Sequence, residues 1–311
     1  MKALVIGYGS IGRRHAGLLR AEGLAERVDA VTSQKSCDLP RRFGTLEEIE
    51  RPQEYDYFVV ANETARHHET LAWLLDRVRG KRILVEKPLF HRPQAPVETG
   101  DNRVFVAYNL RFHPVIEALK SSLEGQKVLH ANILAGQYLP TWRPGRDYRD
   151  TYSASVERGG GVLRDLSHEL DYAAALFGRL ELLAAIDEKV SSLPIDADDL
   201  FTALGRTERG VVVNLTMDYL SKKPMRRIVV QTEKATLEAD LIASTLEVTD
   251  EKGDRSLRRF PCERNETYAR MHRAVLEEGG RGACNLEEGL AVVELIERFG
   301  RYANEREKTR Q

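Results

Sequence analysis

The chain has 311 residues, above the usual single-domain size, so two domains are expected, each long enough to bury its own core. A hydrophobic fraction of 42%, 31% charged residues and a formal net charge of -1 leave no broad field for nucleic acid or an anionic membrane. No apolar stretch has the about 20 residues of a membrane span, nothing after Met1 reads as a leader, and Cys37, Cys262 and Cys284 lack the paired spacing of a metal or redox site, so a cytoplasmic chain without a metal is expected.

The first third repeats an apolar run followed by a helical stretch, the grammar of a parallel sheet with crossover helices. The runs are Ala3–Ile6, Val28–Thr32, Tyr57–Ala61, Ile83–Val85 and Val104–Ala107, with helices expected at His15–Glu22 and His67–Arg79. The runs are apolar on both faces, as strands covered on each side must be. A polar stretch with two prolines and a glycine, His91–Asn102, reads as irregular connection.

From about Val128 the pattern changes to longer strand-like segments: Val128–Leu139, Leu180–Val190, Leu200–Gly205, Val211–Leu220 and Arg227–Thr232. Short polar turns such as Arg206–Gly210 and Glu251–Gly253 point to an open, mostly antiparallel sheet. Two helices close the chain, Tyr268–Glu278 and Leu286–Arg301, the second capped by Asn285 with Glu287 and Glu288 in its first turn. The fold class read from this order is α/β, a Rossmann parallel sheet in residues 1–115 and an α+β domain in residues 116–311.

Gly7-Tyr8-Gly9-Ser10-Ile11-Gly12 follows the first strand directly and leads into a helical stretch near Arg13. This is dinucleotide spacing: Gly7 for the turn, Gly9 for approach of the pyrophosphate, and Gly12 for close helix packing, with Ser10 and Ile11 on the ligand side. About 20 residues after the glycines a domain selective for NAD carries an acid. The second run instead ends in Thr32-Ser33-Gln34-Lys35, so Ser33 and Lys35 lean toward the 2′-phosphate of NADP, with NAD kept open.

The fourth run ends in Glu86-Lys87-Pro88, on the sheet edge where open parallel sheets place ligands. Far downstream Gly159-Gly160-Gly161 runs into a helical segment carrying Asp165, His168 and Asp171 at steps of three, on one side of a continuous helix, with Leu163, Leu166 and Leu170 toward the core. His67-His68-Glu69 looks metal-like, but adjacent histidines diverge by about 100° on a helix, and His113 before Pro114 reads as a helix start.

Together the N-terminal glycines, Glu86-Lys87-Pro88, the segment Tyr108-Asn109-Leu110-Arg111-Phe112-His113 and the triple-glycine helix resemble the Gfo/Idh/MocA oxidoreductase family along nearly the whole chain. The resemblance implies hydride transfer between NAD(P) and a carbinol or carbonyl of a sugar, nucleotide sugar or sugar acid. It implies a homodimer or homotetramer built through the second sheet. Catalytic roles fall to Lys87, His168 and Asp165, with Asn62, Glu86 and Asn109 on the cofactor side and Arg111 on the substrate side. Members typically place the histidine four residues after the aspartate. Here His168 follows Asp165 by three and Glu169 holds the four-residue position, so both stand as candidates.

Trp142-Arg143-Pro144-Gly145-Arg146-Asp147-Tyr148-Arg149 gathers three guanidinium groups and two aromatic faces in one loop. Trp142, Arg143 and Arg146 are candidates for binding an anionic sugar; pairing with Asp147, Asp150 and Glu157 is the structural alternative. Two other functions fit the resemblance: an NAD-dependent glycoside hydrolase, and a silent dinucleotide-binding regulator, against which Lys87 and His168 argue.

Overall fold

The computed structural model describes residues 1–309, and side-chain surroundings for residues 1–181 and 183–300. By its contacts the chain divides into two units: Met1–Phe112 with Glu263–Glu294, and His113–Cys262 with the residues from Leu295 on.

In chain order the first unit begins with β1 (Lys2–Ile6), α1 (Ser10–Ala21), β2 (Arg27–Val31), β3 (Arg42–Phe43), β4 (Tyr57–Val60), α2 (His67–Arg77), β5 (Arg82–Val85) and β6 (Arg103–Val106). The second unit holds α3 (Pro114–Leu123), β7 (Val128–Gly136), α4 (Val162–Asp165), α5 (His168–Phe177), β8 (Leu180–Glu188), β9 (Leu200–Thr207), β10 (Val212–Asp218), β11 (Met225–Thr232), β12 (Ala235–Asp240), β13 (Thr245–Asp250) and β14 (Arg255–Arg259). The chain then returns to the first unit with α6 (Glu266–Leu276) and β15 (Cys284–Asn285), and α7 (Leu286–Thr309) starts there and continues into the second.

The first sheet runs β15-β6-β5-β4-β1-β2-β3, parallel throughout except for β15, which pairs antiparallel with β6. Its order reverses between β1 and β4, the switch point where doubly wound sheets bind ligands. Tyr57–Val60 and Ile83–Val85 are wholly buried, as the apolar runs require. Residues 263–294 group here because Met271, Ala274 and Val275 of α6 share one core with Ala16 and Leu19 of α1.

The glycine turn is fixed by contact rather than by composition. Gly7 has φ +95°, and a Cβ there would overlap the backbone of Ala61 and Asn62. A Cβ on Gly12 would overlap the Gly7 carbonyl, whereas one on Gly9 would meet nothing within 4 Å. The helix begins at Ser10 rather than near Arg13, so Gly12 lies inside α1 and lets it press onto β1.

The second sheet runs β14-β13-β12-β11-β7-β10-β9-β8. It is antiparallel except that β7 and β10 are parallel, a pairing the short turns of the sequence did not signal. Residues alternate: Ala131, Ile133 and Ala135 of β7, Val213, Leu215 and Met217 of β10, and Ile228 and Val230 of β11 are buried. On the outer face His130 bridges Gln231 (2.9 Å) and Asn214 (3.0 Å), with Leu204 39% and Ile186 44% exposed.

The helix expected after the triple glycine is broken. Leu166, at φ -98° and ψ 27°, ends α4, and His168 opens α5, so Asp165 and His168 do not share the side of one helix. Leu163, Leu166 and Leu170 are nevertheless all buried. The Asn285 cap forms as a reciprocal pair: its Oδ1 accepts from the Glu288 N–H and its own N–H donates to Glu288 Oε2, both at 2.9 Å.

Gly12→Ala is expected to lower unfolding free energy by about 1–3 kcal/mol through the clash with Gly7, while Gly9→Ala stays within about 0.5 kcal/mol of the parent. Urea denaturation of both variants checks this, and equal losses would refute the contact argument.

Candidate active site

In the first unit the ends of β1, β2, β4 and β5 carry most of the candidate residues. At the end of β1, α1 starts with no acid in its first turn and no side-chain cap, which leaves its N-terminus suited to an anion. Asn62, after β4, donates to Thr70 Oγ1 at 2.8 Å, while its Oδ1 is buried with no partner among the described residues. Both nitrogens of His67 face carbonyl oxygens, of Asn62 (3.2 Å) on one side and of Pro88 (3.2 Å) and Leu89 (3.1 Å) on the other, tying the β4 and β5 ends together. His68 turns away toward Phe90 and the Ala95 carbonyl, and among the described residues no cluster could hold a metal.

Beside the end of β2 is a cleft of about 600 Å3 lined by Tyr8, Arg13, Arg20, Lys35, Cys37 and Asp38. Ser33 and Lys35 are exposed at this strand end. Arg13 donates to Gln34 Oε1 at 2.5 Å and lies 5.4 Å from the Tyr8 ring centre. The sequence showed no acid just after the second strand, yet the fold returns one. Tyr8 donates to Asp38 Oδ1 at 2.5 Å, which holds the Asp38 carboxyl below its ordinary range, and Arg20 lies 3.7 Å away.

At the end of β5, Glu86 is buried and Lys87 follows it, its N–H donating to Glu86 Oε2 at 3.0 Å. Burial alone would raise the Glu86 carboxyl, but the bond and charge of His15, and then Lys87, hold it below its ordinary value. Two further candidates are engaged elsewhere. Asn109 donates to Thr267 Oγ1 at 2.6 Å inside the core, and Arg111, expected at the substrate, pairs with Glu288 at 3.0 Å with a side chain 9% exposed.

In the second unit the triple glycine allows three segments to meet. A Cβ on Gly160 would overlap the backbone of Tyr152 and Ser153, and one on Gly161 the Asp198 carboxylate. Tyr219 donates to Asp165 Oδ2 at 2.7 Å, and Tyr152 bonds the same carboxylate, whose charge, with burial, raises the Tyr152 phenol well above its ordinary value. The sequence reading missed both tyrosines, because neither is near Asp165 in the chain.

Trp142 stands edge-on to Tyr219 with ring centres 5.1 Å apart, and its indole N–H is buried with no acceptor among the described residues. Arg143 lies 5.5 Å from the Tyr152 ring centre, while Arg149 is bonded to both oxygens of Asp147. Arg146 is exposed. The loop therefore divides: Arg149 is paired as the structural alternative has it, and Arg143 joins the Asp165 cluster.

His168 is partly exposed at the first position of α5. Glu169 is 0% exposed and accepts from Arg226 Nε at 2.7 Å and from Tyr172 at 3.2 Å. Of the two, only His168 reaches the surface of its unit.

Beneath the glycine turn Asp198 accepts from the Leu163 N–H at 3.1 Å and faces Asp187. Burial, then the Asp198 charge, pushes the Asp187 carboxyl up to about 8, and burial raises Asp198 as well, with Arg164 opposing both.

Residues 126–238 match the family model described as the GFO/IDH/MocA C-terminal domain. A search of curated protein sequences finds no match. Among solved structures the fold is shared with an oxidoreductase from Agrobacterium radiobacter in complex with NAD+, L-tartaric acid and magnesium (TM-score 0.84, 18% identity, 98% of this chain and 96% of that one). It is shared too with levoglucosan dehydrogenase in complex with NADH (0.80, 16%, 98% and 97%) and with the WlbA dehydrogenase from Bordetella pertussis in complex with NADH and UDP-GlcNAcA (0.76, 18%, 98% and 96%). Among the described residues no helix is long and apolar enough to cross a membrane.

The acid pair gives a pH dependence of known sign. Asp187 keeps its proton to about 8 in the folded chain but titrates near about 4 when unfolded. Its contribution to stability is therefore complete below about 4 and is lost as pH rises through about 8. Asp187→Asn should flatten that decline in urea midpoints across the range, and a slope equal to the parent's would refute the assignment.

Proposed function

We propose, from the premise that residues 126–238 are a GFO/IDH/MocA C-terminal domain, that the chain is a nicotinamide-dependent oxidoreductase acting on a CH-OH or carbonyl group of a sugar, nucleotide sugar or sugar acid. The observation that carries the reading is the cradle of the first unit. Gly7 and Gly12 are packed so that no Cβ fits, Gly9 stays open, and Glu86 and Lys87 close β5 on the same edge of the sheet. Those features fit a dinucleotide, with Ser10, Ile11 and the α1 N-terminus for its pyrophosphate and the orphaned Asn62 Oδ1 as a further acceptor.

When bound, the nicotinamide supplies or takes up a hydride. What the chain must do is hold the substrate and move one proton at its oxygen. Lys87 donates a hydrogen bond to that oxygen and stabilises alkoxide charge. His168 exchanges the proton, since an imidazole does so near neutral pH; Glu169, engaged by Arg226 and Tyr172, is the weaker candidate. Asp165, oriented by Tyr152 and Tyr219, accepts from a substrate hydroxyl. The unpaired indole N–H of Trp142 supports a bound acceptor there, and Arg143 and Arg146 support an anionic substrate. Arg13, Arg20 and Lys35 against the single carboxylate Asp38 favour the 2′-phosphorylated dinucleotide. The outer face of the second sheet, with Leu204 and Ile186, is the surface for self-association.

Turnover of sugars, sugar acids and nucleotide sugars, followed by the absorbance of the reduced dinucleotide, tests the reading. Lys87→Ala should cut kcat by about 10²–10⁴ with dinucleotide Kd unchanged, and His168→Ala should exceed Glu169→Gln in effect. Product formed without net reduced dinucleotide would point to the hydrolase. Lys35→Ala and Arg13→Ala should weaken NADP more than NAD; if only Asp38→Ala matters, and for NAD, the preference is the reverse. Arg143→Ala should raise KM for charged sugars more than for neutral ones. Sedimentation of Leu204→Arg checks the sheet face: an oligomer that falls apart supports it, and an unchanged one excludes that surface.

A further inference from the structure

Behind Glu86 three side chains from three elements form an unbroken row. Tyr57 of β4 meets His272 Nδ1 of α6 at 2.9 Å, His272 Nε2 meets His15 Nδ1 of α1 at 2.8 Å, and His15 Nε2 meets Glu86 Oε1 at 2.8 Å. Tyr57, His15 and His272 are 0% exposed. Buried polar groups are costly unless paired, and here every ring nitrogen has a partner.

With neutral rings the hydrogens of the row can run in two orders, and a doubly protonated His15 would donate to His272 and Glu86 alike. If Tyr57 accepts, each ring donates back toward it and Glu86 must carry a proton. If Tyr57 donates, each ring receives at Nδ1 and donates from Nε2, and Glu86 is a carboxylate. Burial raises the Tyr57 phenol and lowers His272, whose neighbour His15 lowers it further, while Glu86 is held low. Glu86 is therefore a carboxylate, and His15 Nε2 donates to it.

We propose that Tyr57, His272 and His15 are positioning residues for Lys87: their aligned donors fix one oxygen of Glu86 so that the other holds the Lys87 backbone N–H. The proposal rests on the reading that Lys87 acts in the redox step. His272 is the decisive member. With it in place the His15 Nδ1 is held at 2.8 Å, and the Nε2 hydrogen points at Glu86. Without it, Nδ1 loses that partner, a single ring hydrogen can sit on either nitrogen, and Glu86 loses its assured donor.

Other charged or titratable groups face Glu86 too. Lys87 adjoins it, His67 on α2 and Tyr268 on α6 sense its charge, and Arg14 of α1 lies 5.1 Å from the Tyr268 ring centre. Glu86 Oε1 is the oxygen that His15 Nε2 meets, and Oε2 the one that accepts from the Lys87 backbone N–H. When His15 no longer donates, burial dominates and Glu86 takes up a proton at higher pH, so activity is lost sooner as pH falls.

The test compares His272→Phe, His272→Gln, Tyr57→Phe and Lys87→Ala in the full chain. Nitrogen-15 NMR of the histidines, without cofactor, should show hydrogen on His15 Nε2 in the parent. In His272→Phe the His15 signal should become a mixture of tautomers. The acid limb of kcat should move up by about one pH unit, the scale of one hydrogen bond to a charged group, with substrate KM little changed. His272→Gln should restore the parent profile, because its amide oxygen accepts from Tyr57 and its NH2 donates to His15. If His272→Phe does not fold, the glutamine and Tyr57→Phe variants carry the same comparison, the latter with a smaller shift. A parent profile and a single His15 tautomer in His272→Phe, or no hydrogen on His15 Nε2 in the parent, would overturn the relay. Full turnover in Lys87→Ala would overturn the redox reading and the relay with it, whereas loss in Lys87→Ala beside an unshifted His272→Phe overturns the relay alone.

Discussion

The contact between Gly12 and the carbonyl of Gly7 is the constraint on which the first unit turns. With no side chain between them, α1 lies directly on β1, and its axis is then set with little freedom. About one turn further along His15 is carried to Glu86, and about two turns along Leu19 enters the core beneath. The same placement aims the start of α1 at the reversal point of the sheet and offers its far side to α6. A single steric contact thus orients the anion-binding end of the helix and the polar row behind β5 together.

In the second unit the organising device is the break at Leu166 rather than a helix. An unbroken helix would commit residues three apart to one side. The break lets Asp165 turn to Tyr219, Glu169 turn to Arg226, and His168 stay partly exposed within five residues. The buried pair Asp187 and Asp198 sits under this turn, where Asp198 also bonds the Leu163 N–H, so the protonation of a hidden carboxyl is linked to the segment that presents Asp165.

What could be read from the sequence was what is local. The glycine spacing, the Asn285 cap with Glu288, and His113 accepting from the Val115 N–H ahead of Pro114 are each made within a few residues, so residue type and spacing suffice. The succession of two sheets along the chain was legible because apolar runs of different length report different sheets. The parallel pairing of β7 with β10, the grouping of residues 263–294 with the first unit, and the approach of Asp38 to Tyr8 depend on partners far along the chain. The same holds within the candidate site. Arg111 and Asn109 looked available because nothing nearby claims them, and Glu288 and Thr267, more than 150 residues on, do. Periodicity also misled where a glycine-led segment bends at Leu166, since the count of three assumes a helix without interruption.

The split of the first unit across two stretches of chain has a consequence during synthesis. A ribosome that has emitted residues 1–112 has produced six strands of a sheet and two of its helices, but not α6 or β15. Until residues 263–294 emerge, Ala16 and Leu19 lack the cover of Met271, Ala274 and Val275, and the unpaired edge of β6 stays open to other chains. His15 waits over the same interval with one ring nitrogen lacking its partner. The first unit therefore stays uncovered while residues 113–262, which carry all eight strands of the second sheet, are made, and the second unit in turn is complete only once the residues from Leu295 on have followed.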